Sequence, residues 1–432
     1  MQSKPKSPAH KPSRLQSLSQ SWKIGWFLAV REFKKANKWT TLLIVTVMVL
    51  TFLNLIVISG VLVGLIESSV DANKVHYTSD VIVSTLIKKS YIERSTWVIE
   101  RAWAEPGVEA VAARYVEGGK IEANYKSRTR LTDKVDQTAG LIAGIDPSME
   151  DRVTDISQYM VEGKFLEDGD TDSVVIGSNL LFKYTPIESP GFQTLKDVEV
   201  GTRVRLIVGG KTKEVTVKGI IKSKVGEVDQ RIFMVDRELR RMIGRDDFNV
   251  DEIAIRLKPG VDPVTVKNSL EAQGIGEYAK VQTWEEAQPK FLNDIKVTFA
   301  LLGNLIGSIG LAVACITIFI IIFVNAITRR RYIGILKGIG IKKSVIEISY
   351  VIQSVVYALL GTLIGSAIVF LLLKPYIAAN PINFPFSNGT LVATPMGTFI
   401  RAVILLIATM IAGYIPARIV VKQNTLDAIL GR

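Results

Sequence analysis

The residues that could carry out chemistry are few in this chain of 432 residues. Its two histidines, His10 and His76, lie in separate regions, and neither stands in the spacing of a metal site or a catalytic triad. The phosphate-binding pattern G-x-x-x-x-G-K-[ST] is absent, because the nearest stretch, residues 334–344, has the wrong spacing and no apolar strand before it. We therefore expect no catalytic residue, metal ion or bound cofactor on this chain, and no ATP hydrolysis by it.

An acidic cluster and a single cysteine are two weaker candidates. Asp168, Asp170 and Asp172 lie around Gly169, which suggests a calcium-binding loop, but the spacing does not complete the EF-hand pattern. A solvated turn is the favoured interpretation. Cys315 lies inside a long apolar run, where we expect it to pack as a small apolar residue, so no disulfide bond is expected.

One short segment combines apolar and basic residues. Residues 329–341 read RRRYIGILKGIGI. Ile333, Leu336 and Lys337 stand at i, i+3 and i+4, so a short helix in this segment would have an apolar face with a basic tip. We expect that this face cannot be buried within an 18-residue connection and needs the surface of a partner. The alternative is a positively charged linker without a partner.

Four long apolar runs must position this segment. Residues 41–65, 297–328 and 348–373 contain no charged residue over 25, 32 and 26 positions. Residues 402–417 form a shorter run, which reaches the length of a span if it begins near Pro395. Because a helix needs about 20 apolar residues to cross the hydrocarbon core of a bilayer, the runs predict four transmembrane helices. The first begins too far into the chain and is too long for a cleaved signal peptide, so we expect it to remain as an anchor.

The distribution of lysine and arginine predicts the orientation of these helices. The first 40 residues contain nine of them against one acid, Glu32, and the connection after the second run contains six before its first acid, Glu347. By the positive-inside rule, both termini and residues 329–346 face the cytoplasm, and the region from about 67 to 292 lies outside. Much of the net charge of +12 is then topological, so nucleic acid is not an expected partner.

The beginning of the chain changes character at about residue 21. Residues 1–20 are rich in serine, lysine and proline, which predicts a disordered tail. From Trp22 to Trp39, aromatic and aliphatic residues recur at helical spacing with basic residues between them. This pattern predicts a basic amphipathic helix on the inner membrane surface, and the alternative is a plain extension of the first span.

The region between the first and second spans mixes strand and helix patterns. It predicts an α+β domain of one lobe or two, held together by its core, with a hairpin at Gly209-Gly210. The predicted strands are residues 81–83, 141–145, 174–176, 198–207, 213–221 and 252–255, and the predicted helices are residues 91–104, 261–272 and 285–294.

The basic and apolar segment resembles the signature of MacB/FtsX-type ABC permeases, in which arginine is followed by Glu-Ile-Gly, a short apolar pair and Lys-Ala-x-Gly. Tyr332 and Gly338 replace the usual glutamate and alanine. Residues 144–147, 162–164, 174–178 and 215–220 are similar, in order, to the periplasmic core domain of that family, and residues 391–432 to its last span and tail. The positions that match the signature are Arg331, Ile333, Gly334, Lys337 and Gly340.

The resemblance implies a mechanism in which this chain hydrolyses no ATP. Residues 333–345 would form a coupling helix in a groove of a separate ABC ATPase subunit, which would bind ATP and Mg. Two permease chains, identical or paralogous, and two ATPases would form the complex in the bilayer, and a periplasmic adaptor or other envelope protein is a further candidate partner. The residues implied in ATPase contact are Arg331, Ile333, Gly334, Ile335, Leu336, Lys337, Gly338, Ile339 and Gly340.

Movement of the coupling helices would then reach the outer domain without a substrate crossing between the spans, which is termed mechanotransmission. Two observations agree with it. Charge is nearly absent from the four runs, so no hydrophilic conduit is indicated. Three glycine pairs with G-x-x-x-G spacing, which begin at Gly60, Gly303 and Gly361, would allow close helix contacts.

These patterns are compatible with three functions. The favoured one is a permease for export or for lipoprotein or lipid release, of MacB or LolC/LolE type. The alternatives are an FtsX-like non-transporting regulator of a cell-envelope enzyme, and a sensor or permease for antimicrobial peptides.

The expected fold class is a membrane α-helical protein with four transmembrane helices and a large inserted extracytoplasmic α+β domain, in the cytoplasmic (inner) membrane. The expected organisation is a disordered cytoplasmic tail (1–21), an interfacial amphipathic helix (22–40), transmembrane helix 1 (41–66), the MacB-like extracytoplasmic domain (67–292), transmembrane helix 2 (293–328), the coupling-helix loop (329–346), transmembrane helix 3 (347–374), an extracytoplasmic loop (375–394), transmembrane helix 4 (395–418) and a cytoplasmic tail (419–432).

Overall fold

Four helices are long and apolar enough to cross a membrane in the computed structural model, which describes residues 14–35, 37–126, 135–186, 193–384 and 387–422. The chain divides into two units. We call them the membrane unit, which comprises Met1–Leu65, Lys296–Ile382 and Gly389–Arg432, and the outer domain, which comprises Ile66–Ile295 and Asn383–Asn388. The expected fold class is confirmed.

The helices are numbered in chain order. They are α1 (Arg14–Lys35), α2 (Lys38–Asn73), α3 (Ser95–Ala104), α4 (Pro147–Thr154), α5 (Gly226–Asp229), α6 (Asp236–Ile243), α7 (Pro263–Ala272), α8 (Lys290–Thr328), α9 (Arg330–Gly338), α10 (Lys343–Ala367), α11 (Lys374–Ala379) and α12 (Pro395–Lys422). A π-helical turn, Lys74–Thr78, follows α2, and another, Ile368–Leu373, joins α10 to α11.

The strands follow the same order. They are β1 (Val81–Thr85), β2 (Val108–Glu122), β3 (Gln137–Ile145), β4 (Met160–Gly163), β5 (Ser173–Gly177), β6 (Arg203–Val208), β7 (Lys211–Ile221), β8 (Arg231–Val235), β9 (Glu252–Leu257), β10 (Ala279–Thr283), β11 (Ile382–Phe384) and β12 (Ser387–Gly389).

Glycines allow the helices of the membrane unit to pack closely. A Cβ atom at Gly303 would lie 2.9 Å from Cα of Ser59 on α2, and one at Gly361 would lie 2.4 Å from Cβ of Met48. The prediction of close helix contacts is confirmed for these two glycine pairs. The pair at Gly60 is different, because its neighbour is the backbone of residues 390–392 rather than a helix. Large side chains at these positions would separate the elements.

The amphipathic helix begins earlier than expected. Helix α1 starts at Arg14, so residues 14–21 are helical and this part of the tail prediction is wrong; residues 1–13 lie outside the described part of the chain. Trp22, Trp26 and Phe27 are exposed, whereas Ala29 is buried. One face of α1 therefore packs on the protein and the aromatic face does not, and its location at the membrane surface stays a prediction.

The outer domain is built on one mixed sheet of ten strands. The order of hydrogen-bonded neighbours is β10-β1-β9-β2-β3-β8-β5-β7-β4, and β6 pairs with β2 and β7. The β3–β8 and β5–β7 pairs are parallel and the other pairs are antiparallel. Strand β2 is the longest, with 15 residues, and pairs with β3, β6 and β9. A single continuous sheet thus spans the domain. The sequence patterns had left open whether the domain has one lobe or two.

Most strand predictions for this domain are confirmed, including the hairpin at Gly209-Gly210. Two of the predictions are wrong by more than four residues. The predicted strand 198–207 begins only at Arg203, because a turn with Gly201 at φ +90° precedes it. The predicted helix 285–294 does not exist as a separate element, because α8 begins at Lys290, directly after Pro289.

Candidate coupling site and buried polar clusters

Helix α9 contains most of the predicted coupling residues. It follows α8 after a break at Arg329, whose φ and ψ are −102° and 13°. It ends at Gly338, and Gly340 then adopts φ +92°, in the left-handed region that favours glycine. The amide of Ile341 donates to the carbonyl oxygen of Leu336 at 3.1 Å and closes the helix end. The glycine of the signature is thus explained by the turn that terminates α9.

The face of α9 that the sequence assigned to a partner is buried within the membrane unit. Ile333 and Leu336 belong to its hydrophobic core, and Nζ of Lys337 donates to the carbonyl oxygen of Val421 on α12 at 3.2 Å. The prediction that this face needs a separate partner is wrong, because α12 and the hydrophobic core of the membrane unit cover it. Burial, together with the charge of Lys343, lowers the pKa of the Lys337 ammonium.

The opposite face of α9 is exposed and largely apolar. Tyr332, Ile335 and Ile339 lie on it, and the side chains of Ile335 and Ile339 are 47% and 71% exposed. Arg331 and Gly338 lie on the same face. This surface lies after the uncharged run of α8, and we call it the α9 surface. These predicted contact residues are exposed in the described part of the chain.

The outer domain contains a buried ionic cluster that sequence reasoning missed. Nε of Arg114 donates to Oε2 of Glu150 at 2.9 Å, and its Nη2 donates to Oε1 of Glu150 at 2.7 Å and to the carbonyl oxygen of Tyr77 at 2.8 Å. Nη2 of Arg231 donates to Oε1 of Glu252 at 2.7 Å. The only sequence signal was a charged residue, Arg114, within the apolar strand segment 110–116.

Electrostatics keep this cluster charged. Burial would raise the pKa of Glu252, but Arg231 and Arg114 outweigh it and lower that pKa to about 2. The hydroxyl of Tyr77 also donates to Oε1 of Glu252 at 2.9 Å. The cluster therefore joins the turn after α2 to β2, β8, β9 and α4 through compensated buried charges.

A second buried acid supports a turn between β7 and α5. Asp229 accepts hydrogen bonds from the amide of Ser223 at 2.7 Å and from the amide of Lys224 at 2.8 Å. Nζ of Lys224 donates to Oδ1 of Asn383 at 2.6 Å and to Oδ1 of Asn388 at 2.5 Å. The turn thus holds the hairpin of β11 and β12 on the outer domain.

The candidate calcium loop is a turn with lysine partners. Oδ2 of Asp170 lies 2.7 Å from Nζ of Lys218, and Oδ1 of Asp172 lies 3.0 Å from Nζ of Lys213. In the described part of the chain, no group of three or more histidine, cysteine, aspartate or glutamate residues is placed to hold a metal ion. His76 is buried, and its Nδ1 lies 3.3 Å from the carbonyl oxygen of Thr154.

Comparison with known proteins gives the family. Residues 41–273 match the family model of the MacB-like periplasmic core domain, and residues 304–425 match that of the FtsX-like permease C-terminal region. An uncharacterised ABC transporter permease of Methanocaldococcus jannaschii is 22% identical over 336 residues, which cover 75% of this chain and 76% of that relative.

Further similarities cover parts of the chain. A macrolide export ATP-binding/permease protein MacB of Yersinia pestis bv. Antiqua is 26% identical over 195 residues, 44% of this chain and only 28% of that relative. The periplasmic region of MacB from Actinobacillus actinomycetemcomitans (TM-score 0.35, 12% identity) covers 49% of this chain and 92% of that structure. The extracellular domain of the ABC-type transporter YknZ from Gram-positive bacteria (TM-score 0.31, 15% identity) covers 48% and 100%.

The first family model alone spans more than half of the chain, and the second covers most of the remainder of the membrane unit. In the sequence, one helix able to cross a membrane precedes the domain with the mixed sheet, and three such helices follow it. The chain belongs to the MacB-like periplasmic core domain family and is a permease of the MacB/FtsX type of ABC transporter.

Proposed function

We propose that this permease takes its energy from a separate ABC ATPase bound at the α9 surface and transmits the resulting movement to the outer domain. The observation that carries the proposal is the α9 surface itself. Tyr332, Ile335 and Ile339 expose apolar area on a helix beyond the end of a span, and no residue in the described part of the chain covers this area. An apolar helical face beside Arg331 suits a groove on a partner.

The orientation follows from charge. Nine basic residues before the first span and six in the connection that contains α9 support a cytoplasmic location for both termini and for the α9 surface of this multi-pass membrane protein. ATP and Mg would bind the ATPase subunit, because this chain lacks the G-x-x-x-x-G-K-[ST] pattern. A second permease chain, identical or paralogous, would complete the complex.

The output of the complex would be export or the release of a lipoprotein or lipid at the outer surface. Relatives named as macrolide export proteins support export. Mechanotransmission is supported by the nearly uncharged spans, which offer no hydrophilic conduit, and by the buried ionic cluster, which would let the turn after α2 move with the sheet of the outer domain. A periplasmic adaptor or envelope protein would then receive the movement.

The decisive experiment is recovery of an ABC ATPase with the full-length chain after gentle detergent extraction. Ile335→Glu places a charge on the α9 surface and should abolish recovery. Lys34→Glu changes an exposed residue on α1, outside the predicted coupling segment 333–345, and should leave recovery within about twofold. Equal recovery with Ile335→Glu and the unmodified chain, at equal membrane insertion, would refute the ATPase site.

Orientation needs a separate experiment. The single cysteine, Cys315, is replaced by serine, and one new cysteine is introduced at Lys342 or at Lys120. A membrane-impermeant maleimide should label Lys120→Cys in intact cells and Lys342→Cys only after the inner membrane is opened. The reverse pattern would contradict the proposed topology.

A further inference from the structure

A polar cavity of ≈ 180 Å³ lies within the membrane unit, among α1, the first turn of α2, the last turn of α8 and α10. This volume would hold a small polar group and is large for one or two water molecules, each of which occupies about 30 Å³. No residue of the α9 surface lines it. The lining residues are Glu32, Phe33, Asn37, Thr40, Thr41, Asn325, Thr328, Arg329, Tyr350, Gln353 and Tyr357.

The cavity contains a largely buried carboxylate. The side chain of Glu32 is only 17% exposed and accepts a hydrogen bond from Nε2 of Gln353. Nη1 of Arg329 lies 3.9 Å from Oε1 of Glu32, at the outer limit of an ion pair, and Arg329 is the more exposed partner. A buried carboxylate retains several acceptor positions, so this contact leaves capacity for another cationic donor.

A second group in the cavity lacks a partner. Tyr350 is 2% exposed, and its hydroxyl has no hydrogen-bond partner among the residues that the structure describes. A buried polar atom without a partner is unfavourable, and such atoms in native proteins are normally satisfied by water or a ligand. Tyr350 and Glu32 therefore mark one site that requires an additional hydrogen-bonding group.

Aromatic rings make the site suited to a cation. The rings of Phe33 and Tyr357 lie 4.8 Å apart, and Tyr350 adds a third ring to the lining. Aromatic faces combined with a carboxylate attract alkylammonium groups. Arg329, at the more exposed side of the cavity, offers a guanidinium suited to a phosphate. The lining is thus complementary to a molecule with an ammonium group and a phosphate group close together.

We propose that this cavity binds the headgroup of a zwitterionic phospholipid, with its ammonium group at Glu32 and Tyr350 and its phosphate at Arg329. The location supports a lipid as the source. The cavity lies between the protein-facing side of α1 and the ends of two spans, and α1 exposes its other, aromatic face, which suits the level of lipid headgroups. The proposal does not require the ATPase, so it stands or falls separately from the α9 surface.

The test is native mass spectrometry of the full-length protein in detergent. The purified protein is titrated with dioleoylphosphatidylethanolamine or with dioleoylphosphatidylglycerol, which lacks the ammonium group. We expect the first phosphatidylethanolamine molecule to bind more tightly than the first phosphatidylglycerol molecule. Glu32→Gln should weaken it about tenfold, as expected for loss of a charge-assisted hydrogen bond, and Tyr350→Phe should weaken it severalfold while keeping the ring.

Glu347→Gln is the matched control, because Glu347 lies on α10 near Tyr350 but does not line the cavity. It should bind phosphatidylethanolamine like the unmodified chain. Equal binding of the two lipids, or no effect of Glu32→Gln and Tyr350→Phe, would overturn the site and leave a cavity filled by water. If soluble phosphoethanolamine at equal concentration displaces the lipid, the acyl chains contribute nothing to binding, and the proposal that the natural ligand is a lipid is refuted.

Discussion

The carbonyl oxygen of Tyr77 accepts a hydrogen bond of 2.8 Å from Nη2 of Arg114, whose side chain is buried on β2. Tyr77 lies in the turn that directly follows α2, and the same guanidinium also bonds Glu150 of α4. One buried cation therefore fixes the chain that leaves the first span to the sheet of the outer domain. Any movement of this turn must be shared by the sheet or must break a buried charge contact.

Arg114→Met should destabilise the outer domain by ~3–5 kcal/mol, because it leaves the carboxylate of Glu150 buried without its partner. Arg256→Met is the matched control. Arg256 lies on β9 and pairs with Asp155, but both side chains are about one-third exposed, so its loss should cost about 1 kcal/mol or less. Denaturant unfolding monitored by hydrogen exchange in β2 and β9 measures the free energy of unfolding of both variants. If the two variants lose the same free energy of unfolding, the buried cluster contributes no more than the exposed ion pair.

Gly340→Ala should destabilise the end of α9 by about 1–2 kcal/mol, because Gly340 has φ +92°. Gly338→Ala changes the chemistry in the same way at a helical position with open space around the new Cβ atom. It should be neutral or slightly favourable to the helix. Hydrogen exchange at the amides of Ile339 and Ile341 distinguishes the two variants. We expect faster exchange only in Gly340→Ala.

Gly361→Val should separate α10 from α2, because a Cβ atom at this position already lies 2.4 Å from Cβ of Met48. Overpacking of this kind costs about 1–3 kcal/mol or more. Leu363→Val is the control, because Leu363 is on the same helix and exposed. The measurement is the thermal unfolding midpoint of the detergent-solubilised protein. A Gly361→Val midpoint equal to that of Leu363→Val would show that α10 and α2 do not pack closely at Gly361.

Burial raises the pKa of Asp229 from 3.8 to about 6, despite the hydrogen bonds that its carboxylate accepts from Ser223 and Lys224. The folded state then binds more protons than the unfolded state between about pH 4 and 6, so this residue's contribution to stability falls as pH rises through that window. The loss amounts to about 3 kcal/mol at most, from a pKa difference of about two. Above pH 6 its contribution is constant.

Asp229→Asn removes this titration. The difference in unfolding midpoint between the unmodified chain and Asp229→Asn should therefore change between pH 4 and 6 and stay constant from pH 6.5 to 8. Thermal unfolding at a series of pH values checks it. Parallel curves across the whole range would show that the carboxyl group has an ordinary pKa in the folded protein.

The sequence predicted the membrane helices well because long uncharged runs have few alternatives to a span. It also predicted a helix at α9, but the apolar face that it assigned to a partner packs on the chain's own core. Ile333 and Leu336 have the spacing of an apolar face, yet spacing alone does not show whether the chain's own core or a partner covers that face. The signature position Gly340 was predicted by resemblance, and its backbone conformation explains it.

The outer domain shows where sequence reasoning fails. Strand β2 was missed because Gly118-Gly119 and charged residues interrupt its apolar alternation. The carboxylate partners of Arg114, Glu150 and Glu252, lie 36 and 138 residues further along the chain, a separation that no local pattern records. The polar cavity at Glu32 likewise depends on four helices that meet only in the folded protein.

The pairing of β1 has a consequence for biosynthesis. Val81 of β1 pairs with Thr283 of β10, so neighbouring strands of the sheet are about 200 residues apart in the chain. The backbone groups of β1 on this side therefore stay unpaired outside the membrane until nearly the whole domain has been translocated and β10 is available. Such long-range closure is slow and exposes strand edges to wrong pairing. Chaperone protection of the emerging domain is therefore expected to matter most before residue 283 has been exported.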